Sequence, residues 1–115
     1  MDDARRDPVV IVQYVDDCPN WRPVVGDVAG LGAELGGVTV RSERIESVEH
    51  AHRAGFRGSP TVLVDGVDLF ADGAQAPGLA CRLYTTPEGP RGRPSREMLR
   101  AALVRRWSLE RDQPA

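Results

Sequence analysis

The chain lacks lysine, and all 15 of its basic residues are arginine, which is typical of a GC-rich genome and carries no mechanistic information. It also lacks a strong charge of one sign, because a net charge of −2 gives no field that would attract nucleic acid. No apolar run approaches about 18 residues, so no membrane span is predicted. The first eight residues are charged and contain no apolar stretch, so we expect no secretory signal there.

Cysteine is scarce, with only Cys18 and Cys81 in 115 residues. A chain of this length can bury a core without a disulfide staple. Two cysteines without a secretory signal indicate a reducing compartment, and a cytoplasmic location is therefore predicted. In that setting cysteines are more often catalytic, metal-binding or inert than structural.

The charges are unevenly distributed along the chain. Residues 1–81 carry 7 arginines against 13 acidic residues, whereas residues 82–115 carry 8 against 4. A solvated helix face accounts for the basic second segment, and no nucleic-acid partner is predicted.

Apolar residues at helical spacing predict two long helices. Gly36-Gly37 ends the first, Ser95 caps the last, and a short helix closed by Gly55 lies between them. The apolar positions are Val24, Val28, Leu31 and Leu35 in the first helix, and Leu99, Ala102, Leu103 and Trp107 in the last.

Four strands are predicted around these helices. VVIVQYV (9–15) has no polar alternation apart from Gln13, which indicates a central strand buried on both faces. VTVRSERI (38–45) alternates and is expected to be less buried. The other two are TVLVDGV (61–67), with its turn at Asp65-Gly66, and LACRLY (79–84).

The order β-α-β-α-β-β-α predicts the α/β class, as a mixed four-stranded sheet with helices on both faces. The initial βαβ unit implies parallel strands and a right-handed crossover. We expect one domain over residues 9–107, a disordered arm at 1–8 and a frayed tail at 108–115.

Cys18 follows the first strand and precedes the first helix, in the stretch CPNW. Helix N-terminal N–H groups favour a thiolate over a thiol. Asn20 is the predicted cap, because it places Pro23 in the first turn, where the missing N–H of proline is tolerated.

The charges near Cys18 have opposing effects on its ionisation. Asp16 and Asp17 oppose it, and Arg22 favours it. Because Cys18 lies at a loop-to-helix junction and Cys81 in an apolar stretch, we expect Cys18 to be the exposed, more reactive thiol.

These features together resemble the thioredoxin-like fold. They are Cys18 at the start of the first helix, the segment GFRGSPTVLVDG (55–66) in which such proteins place a cis-proline, and the closing β-β-α, over residues 9–107. The whole pattern, CPNW, FRGSPTVLVDG, GLACRLY and PEG, is similar to small bacterial thioredoxin-like proteins, some of which are labelled alkylmercury lyase.

The resemblance implies a site made of Cys18, Trp21, Ser59 and Pro60. A cis Ser59–Pro60 bond would turn the Ser59 backbone toward Cys18, ready to pair with an extended thiol substrate. Trp21 stands where a second cysteine usually completes Cys-x-x-Cys, and is interpreted as a packing residue or a lid.

Three roles remain open for Cys18 without that second cysteine. It acts alone with an external resolving thiol, pairs with Cys81, or binds a soft metal together with Cys81. If LACRLY is a regular last strand, Cys81 lies roughly 10 Å from the site at about 3.3 Å per residue, too far for a disulfide. If the segment is an irregular loop over the site, contact is expected.

The predicted function is therefore thiol–disulfide exchange, or reduction of a small oxidised substrate, by the single cysteine Cys18 beside Pro60 and without a cofactor. The alternatives are a soft-metal or organomercurial protein using Cys18 and Cys81, and an interaction module without chemistry. His50 and His52 are two residues apart and cannot share a helix face, so they are a poor metal pair. Asp68 and Asp72 are predicted to be solvated.

Overall fold

The computed structural model describes residues 8–71 and 78–112, with side chains up to Trp107. The elements along the chain are β1 (Val9–Tyr14), α1 (Trp21–Glu34), β2 (Thr39–Arg44), α2 (Val48–Ala54), β3 (Thr61–Val64), β4 (Val67–Asp68), β5 (Tyr84–Thr86), β6 (Gly89–Arg91) and α3 (Arg96–Asp112). The predicted α/β class is confirmed.

The main sheet has four strands in the order β2-β1-β3-β4. β2 is parallel to β1, whereas β3 is antiparallel to β1 and β4 is antiparallel to β3. The predicted mixed four-stranded sheet is therefore confirmed, with β1 in its interior. The β5–β6 hairpin is a separate two-stranded sheet that was not predicted.

The larger apolar core joins β1 and β3 to α1 and α3. Each fully buried valine or leucine contributes about 1.5–3 kcal/mol relative to an exposed one, so this cluster fixes both helices on the sheet. Its buried members are Val10, Val12, Val24, Val28, Leu31, Val62, Val64, Leu99, Leu103 and Trp107. The predicted apolar faces of the two long helices are thus confirmed.

A second, smaller core lies around α2. Ile45, Ala51 and Phe56 are buried in it, and Val15, just beyond β1, packs against them. The side chain of Ser47 caps α2 by accepting a hydrogen bond from the N–H of His50 at 3.0 Å. This cluster anchors the turn that leads from β1 to Cys18.

The fourth strand of the sheet is not the one predicted. Asp65 and Gly66 both have positive φ, of 48° and 85°, which is the backbone of a two-residue hairpin turn. The chain therefore returns at once, and β4 takes the place beside β3. Residues 79–83 run as an irregular segment, with a single bridge from Cys81 to Ser59.

The boundaries of the domain differ from those expected at the carboxyl end. α3 continues to Asp112, beyond the predicted boundary at residue 107. Residues 1–7 of the predicted arm, residues 113–115 of the predicted tail, and Asp72 lie outside the described residues. Within the described part of the chain, no helix has both the length and the apolar character to cross a membrane.

Candidate functional site

Cys18 lies in the turn between β1 and α1 and is buried, with 4% of its surface exposed. Its N–H donates to the carbonyl of Val15 at 3.1 Å. The N–H of Asn20 donates to the Cys18 sulfur at 3.4 Å. The sulfur therefore accepts a backbone hydrogen bond at the amino end of α1, where negative charge is favoured.

Asn20 holds the predicted cap position, and Pro23 is the third residue of α1 as expected. The capping mechanism is different, because the Asn20 side chain accepts a cap hydrogen bond from none of the described N–H groups. Its backbone is near the α region, at φ −98° and ψ −8°, rather than in the extended conformation of a side-chain cap. Instead its amide packs on Gly92, where a Cβ would overlap it.

Trp21 packs against neighbouring side chains at the start of α1. Its ring stacks on Tyr14 with centroids 3.8 Å apart, and the Arg22 guanidinium lies 4.7 Å from its centroid. The arginine expected to favour the Cys18 thiolate is therefore placed over an aromatic ring. Asp16, expected to oppose it, is paired with Arg44 at 2.9 Å.

Ser59 and Pro60 are buried beside the cysteine turn, and their peptide bond is cis, as predicted. The Val15 N–H donates to the Ser59 hydroxyl at 3.2 Å. Because the Val15 carbonyl also accepts from Cys18, one residue links the cysteine turn to the proline segment.

Residues 78–84, here called the docked segment, pair with the backbone of Ser59. The Ser59 N–H donates to the Ala80 carbonyl at 2.8 Å, and the Arg82 N–H donates to the Ser59 carbonyl at 3.0 Å. The two hydrogen bonds form a parallel bridge between Ser59 and Cys81. Paired residues of neighbouring strands lie about 5 Å apart, so Cys81 is brought next to Ser59.

The expected exposure of the two thiols is wrong: Cys18 is buried and Cys81 is exposed. The reason lies in the alternation of the docked segment. Arg82 and Tyr84 point inward and are buried, so Cys81 and Leu83 point outward. Cys18 is held in its turn between the carbonyl of Val15 and the N–H of Asn20.

Arg82 was missed by the sequence analysis, although it is only 2% exposed. Its guanidinium donates to both carboxylate oxygens of Asp68, at 2.9 and 3.3 Å, to the Thr61 hydroxyl at 3.1 Å and to the Phe70 carbonyl. Asp68 is 15% exposed in this pair, so its prediction as a solvated residue is wrong. The available signal was a lone arginine inside the apolar run LACRLY.

Tyr84 provides a second anchor for the docked segment. Its hydroxyl donates to the carbonyl of Pro60, and its ring makes an edge contact with Phe70, with centroids 5.4 Å apart. Burial raises the pKa of Tyr84, the Arg82 guanidinium acts against this, and the Asp68 carboxylate adds to it. The phenol therefore stays protonated as a donor to Pro60.

The histidines give no metal site. His50 Nδ1 accepts from the Glu46 N–H at 3.2 Å and His50 Nε2 lies 3.7 Å from Glu43, whereas His52 is exposed. Among the described side chains, those of residues 8–71 and 78–107, no group of three or more potential metal ligands occurs.

A cavity of about 560 Å³ lies between β4, the docked segment and α3. Its walls include Asp68, Phe70, Arg82 and Tyr84, but neither Cys18 nor Cys81. Ser59 connects the turn that carries Cys18 to the segment that carries Cys81. Comparison with protein-family models, with curated proteins and with solved structures gave no match.

Proposed function

We propose that this chain is a thioredoxin-like thiol–disulfide oxidoreductase whose two thiols are Cys18 and Cys81. The observation that carries the proposal is the position of Ser59. Its hydroxyl accepts from Val15, which also holds Cys18, and its backbone pairs on both sides of Cys81. One buried residue thus joins two cysteines that are 63 positions apart in the sequence.

The order of the elements supports the thioredoxin-like part of the proposal. A parallel β1-α1-β2 unit is followed by the antiparallel β3–β4 pair and by α3, which packs on α1. Cys18 precedes α1, and the Ser59–Pro60 segment precedes β3. These are the positions that the resemblance assigns to the thiol and to the proline.

Exposure decides the order in which the thiols act. The exposed Cys81 thiolate attacks one sulfur of a disulfide substrate, forming a mixed disulfide and releasing the first thiolate. The Cys18 thiolate, which the Asn20 N–H stabilises, then attacks the Cys81 sulfur and releases the second. The substrate gains two electrons and becomes two thiols, and an external dithiol reduces the resulting Cys18–Cys81 disulfide.

Alkylation and two serine variants test this order. In the native reduced protein at neutral pH, maleimide should label Cys81 well before Cys18. Cys81→Ser should abolish turnover, whereas Cys18→Ser should stop at a mixed disulfide with the substrate, visible as an added mass. Thr85→Ser, exposed in the adjacent strand, is the matched control and should behave like the wild type.

Two results would overturn the proposal. One is full turnover in Cys81→Ser or in Cys18→Ser. The other is the absence of any disulfide reduction by the wild-type protein, which would favour an interaction module without chemistry. Activity in a reducing compartment such as the cytoplasm fits two thiols that must be reduced again after each cycle.

A second candidate is binding of a soft metal or an organomercurial by the same pair. The placement of Cys18 and Cys81 on either side of Ser59 favours it, and two thiolates suit ions such as Hg²⁺ or Cu⁺. Binding of one Hg²⁺ per chain, lost in either serine variant, would support this candidate. Equal binding by the wild type and both variants would rule it out.

A further inference from the structure

We infer that the docked segment occupies the place where an extended polypeptide would pair with Ser59, so that the substrate is a small-molecule disulfide. The inference rests on the proposed function. The pairing of Ser59 with the docked segment, and the anchoring of that segment, determine which class of disulfide can reach the two thiols.

The backbone of Ser59 is already used on both sides. An extended peptide that adds to a strand edge needs free N–H and C=O groups on that edge. At Ser59 the N–H is donated to Ala80 and the carbonyl accepts from Arg82. A polypeptide substrate would have to remove both hydrogen bonds before it could form its own.

The docked segment is anchored by buried groups. Arg82 holds Asp68, Thr61 and Phe70 through its guanidinium, and Tyr84 holds Pro60 through its hydroxyl. Lifting the segment would expose this network and separate a buried ion pair, which is strongly unfavourable. The segment is therefore a fixed part of the site, and a polypeptide cannot displace it as it would a lid.

Cys81 stands at the position in the pairing where the cysteine of a bound polypeptide would stand. It faces Ser59 across the bridge and is exposed to solvent. A small disulfide can reach its sulfur without any backbone pairing. The chain thus places its own thiol at the position that pairs with Ser59.

A pair of matched substrates tests the inference. One is 2-hydroxyethyl disulfide, and the other is a linear peptide of about ten residues whose cysteine carries the same hydroxyethyl group. Because the peptide would first have to break the hydrogen bonds of Ser59 with Ala80 and Arg82, we expect it to react at least ~10-fold more slowly than 2-hydroxyethyl disulfide. A peptide rate equal to or above the small-molecule rate overturns the inference.

Hydrogen exchange gives a readout that does not need activity. In the wild-type protein, the Ser59 and Arg82 amides should exchange as slowly as the Val12 amide in β1, with or without excess peptide. Exchange at the rate of an open loop would overturn the inference. If neither disulfide is reduced, the proposed function fails. Hydrogen exchange then still decides whether the backbone of Ser59 stays paired with the docked segment.

A paired variant tests the anchor itself. Arg82→Gln with Asp68→Asn removes both charges and leaves groups that can still hydrogen-bond. We expect faster exchange at Ser59 and a smaller difference between the two substrates. If the folded variant shows the same amide exchange at Ser59 and the same ratio of small-molecule to peptide rates as the wild type, Arg82 and Asp68 do not anchor the segment. If the variant does not fold, the wild-type measurements above still test the inference.

Discussion

Ser59 shows how much one small residue can organise. Its hydroxyl accepts from Val15, its N–H donates to Ala80, and its carbonyl accepts from Arg82. A buried polar group that lacks a partner costs about 1–3 kcal/mol, so all three bonds favour one arrangement of the three segments. The positions of both thiols follow from that arrangement.

Tyr84 gives a pH-dependent prediction at the same scale. Tyr84→Phe should lower the free energy of unfolding at neutral pH by about 1–3 kcal/mol, because the buried Pro60 carbonyl loses its donor. Burial raises the pKa of Tyr84 above the value of about 10 in the unfolded chain. The unfolded state therefore loses this proton first, and the stabilisation declines as the pH rises above 10.

Urea titrations of wild type and Tyr84→Phe between pH 7 and pH 11 check this sign. The stability difference should be constant up to about pH 9 and should narrow above pH 10. A difference that widens at high pH would mean that the phenol is more acidic in the folded state than in the unfolded chain.

Several residues of the site were predictable because they carry local signals. Cys18, Pro23 and Pro60 were placed correctly from a strand end, a first-turn rule and a resemblance. Arg82 was not, because its partner Asp68 is fourteen positions away, on the two-residue strand β4. A charge buried by tertiary pairing has the same local sequence as a solvated one.

At the scale of elements, two glycines of α1 should respond in opposite ways to alanine. A Cβ on Gly32 would overlap the Val38 side chain, whereas a Cβ on Gly26 would meet nothing within 4 Å. Gly26→Ala should raise the free energy of unfolding by about 0.5–1 kcal/mol through helix propensity. Gly32→Ala should lower it by about 1–3 kcal/mol through overpacking.

Thermal and urea unfolding of the two alanine variants measure this contrast, since both change the same helix by one methyl group. Equal stabilisation by both would show that Val38 moves aside without cost. Equal destabilisation would show that α1 requires both glycines for another reason.

Two ion pairs of the same length make a second matched comparison between elements. Arg82–Asp68 and Arg44–Asp16 are both 2.9 Å long, but the first pair is 2% and 15% exposed and the second 53% and 58%. Asp68→Ala should cost about 3–5 kcal/mol, because it leaves a buried guanidinium without its carboxylate.

The exposed pair serves as the control for that substitution. Asp16→Ala should change the free energy of unfolding by less than about 1 kcal/mol, because water screens the pair. Similar losses in both variants would mean that the docked segment is not held by Arg82.

Elements with a clear local sequence pattern were predicted correctly, and the element without one was not. The three helices and the first three strands were predicted from periodicity, capping residues and β-branched runs. The fourth strand was assigned to residues 79–84, because a two-residue strand after Asp65-Gly66 is too short to show a pattern. Once β4 occupies that edge, the apolar run LACRLY has to pack through Arg82 and Tyr84 instead.

Over the whole molecule, the uneven charge is partly neutralised by ion pairs between α1 and α3 at the surface. Glu34 at the end of α1 pairs with Arg96 and Arg100 of α3, at 3.0 and 2.7 Å. Hydrogen bonds from these two arginines lower the pKa of Glu34. Two arginines of the basic second segment therefore pair with the acidic first segment at the surface of the fold.

The last prediction concerns the stability of the oxidised molecule as a whole. Mild oxidation should join Cys18 to Cys81 within one chain, giving a monomer lighter by two hydrogens. Closing a loop of 63 positions restricts the unfolded chain, and such bonds typically raise the free energy of unfolding by about 2–4 kcal/mol. Mass spectrometry and thermal unfolding of oxidised and reduced protein measure both effects, with Cys18→Ser and Cys81→Ser as controls that cannot form the internal bond and whose monomers should keep the stability of the reduced protein. If oxidation gives only dimers linked through the exposed Cys81, the two sulfurs do not meet within one chain. The pairing of Ser59 with Cys81 would then not bring the two sulfur atoms into contact, and the dithiol mechanism would fail.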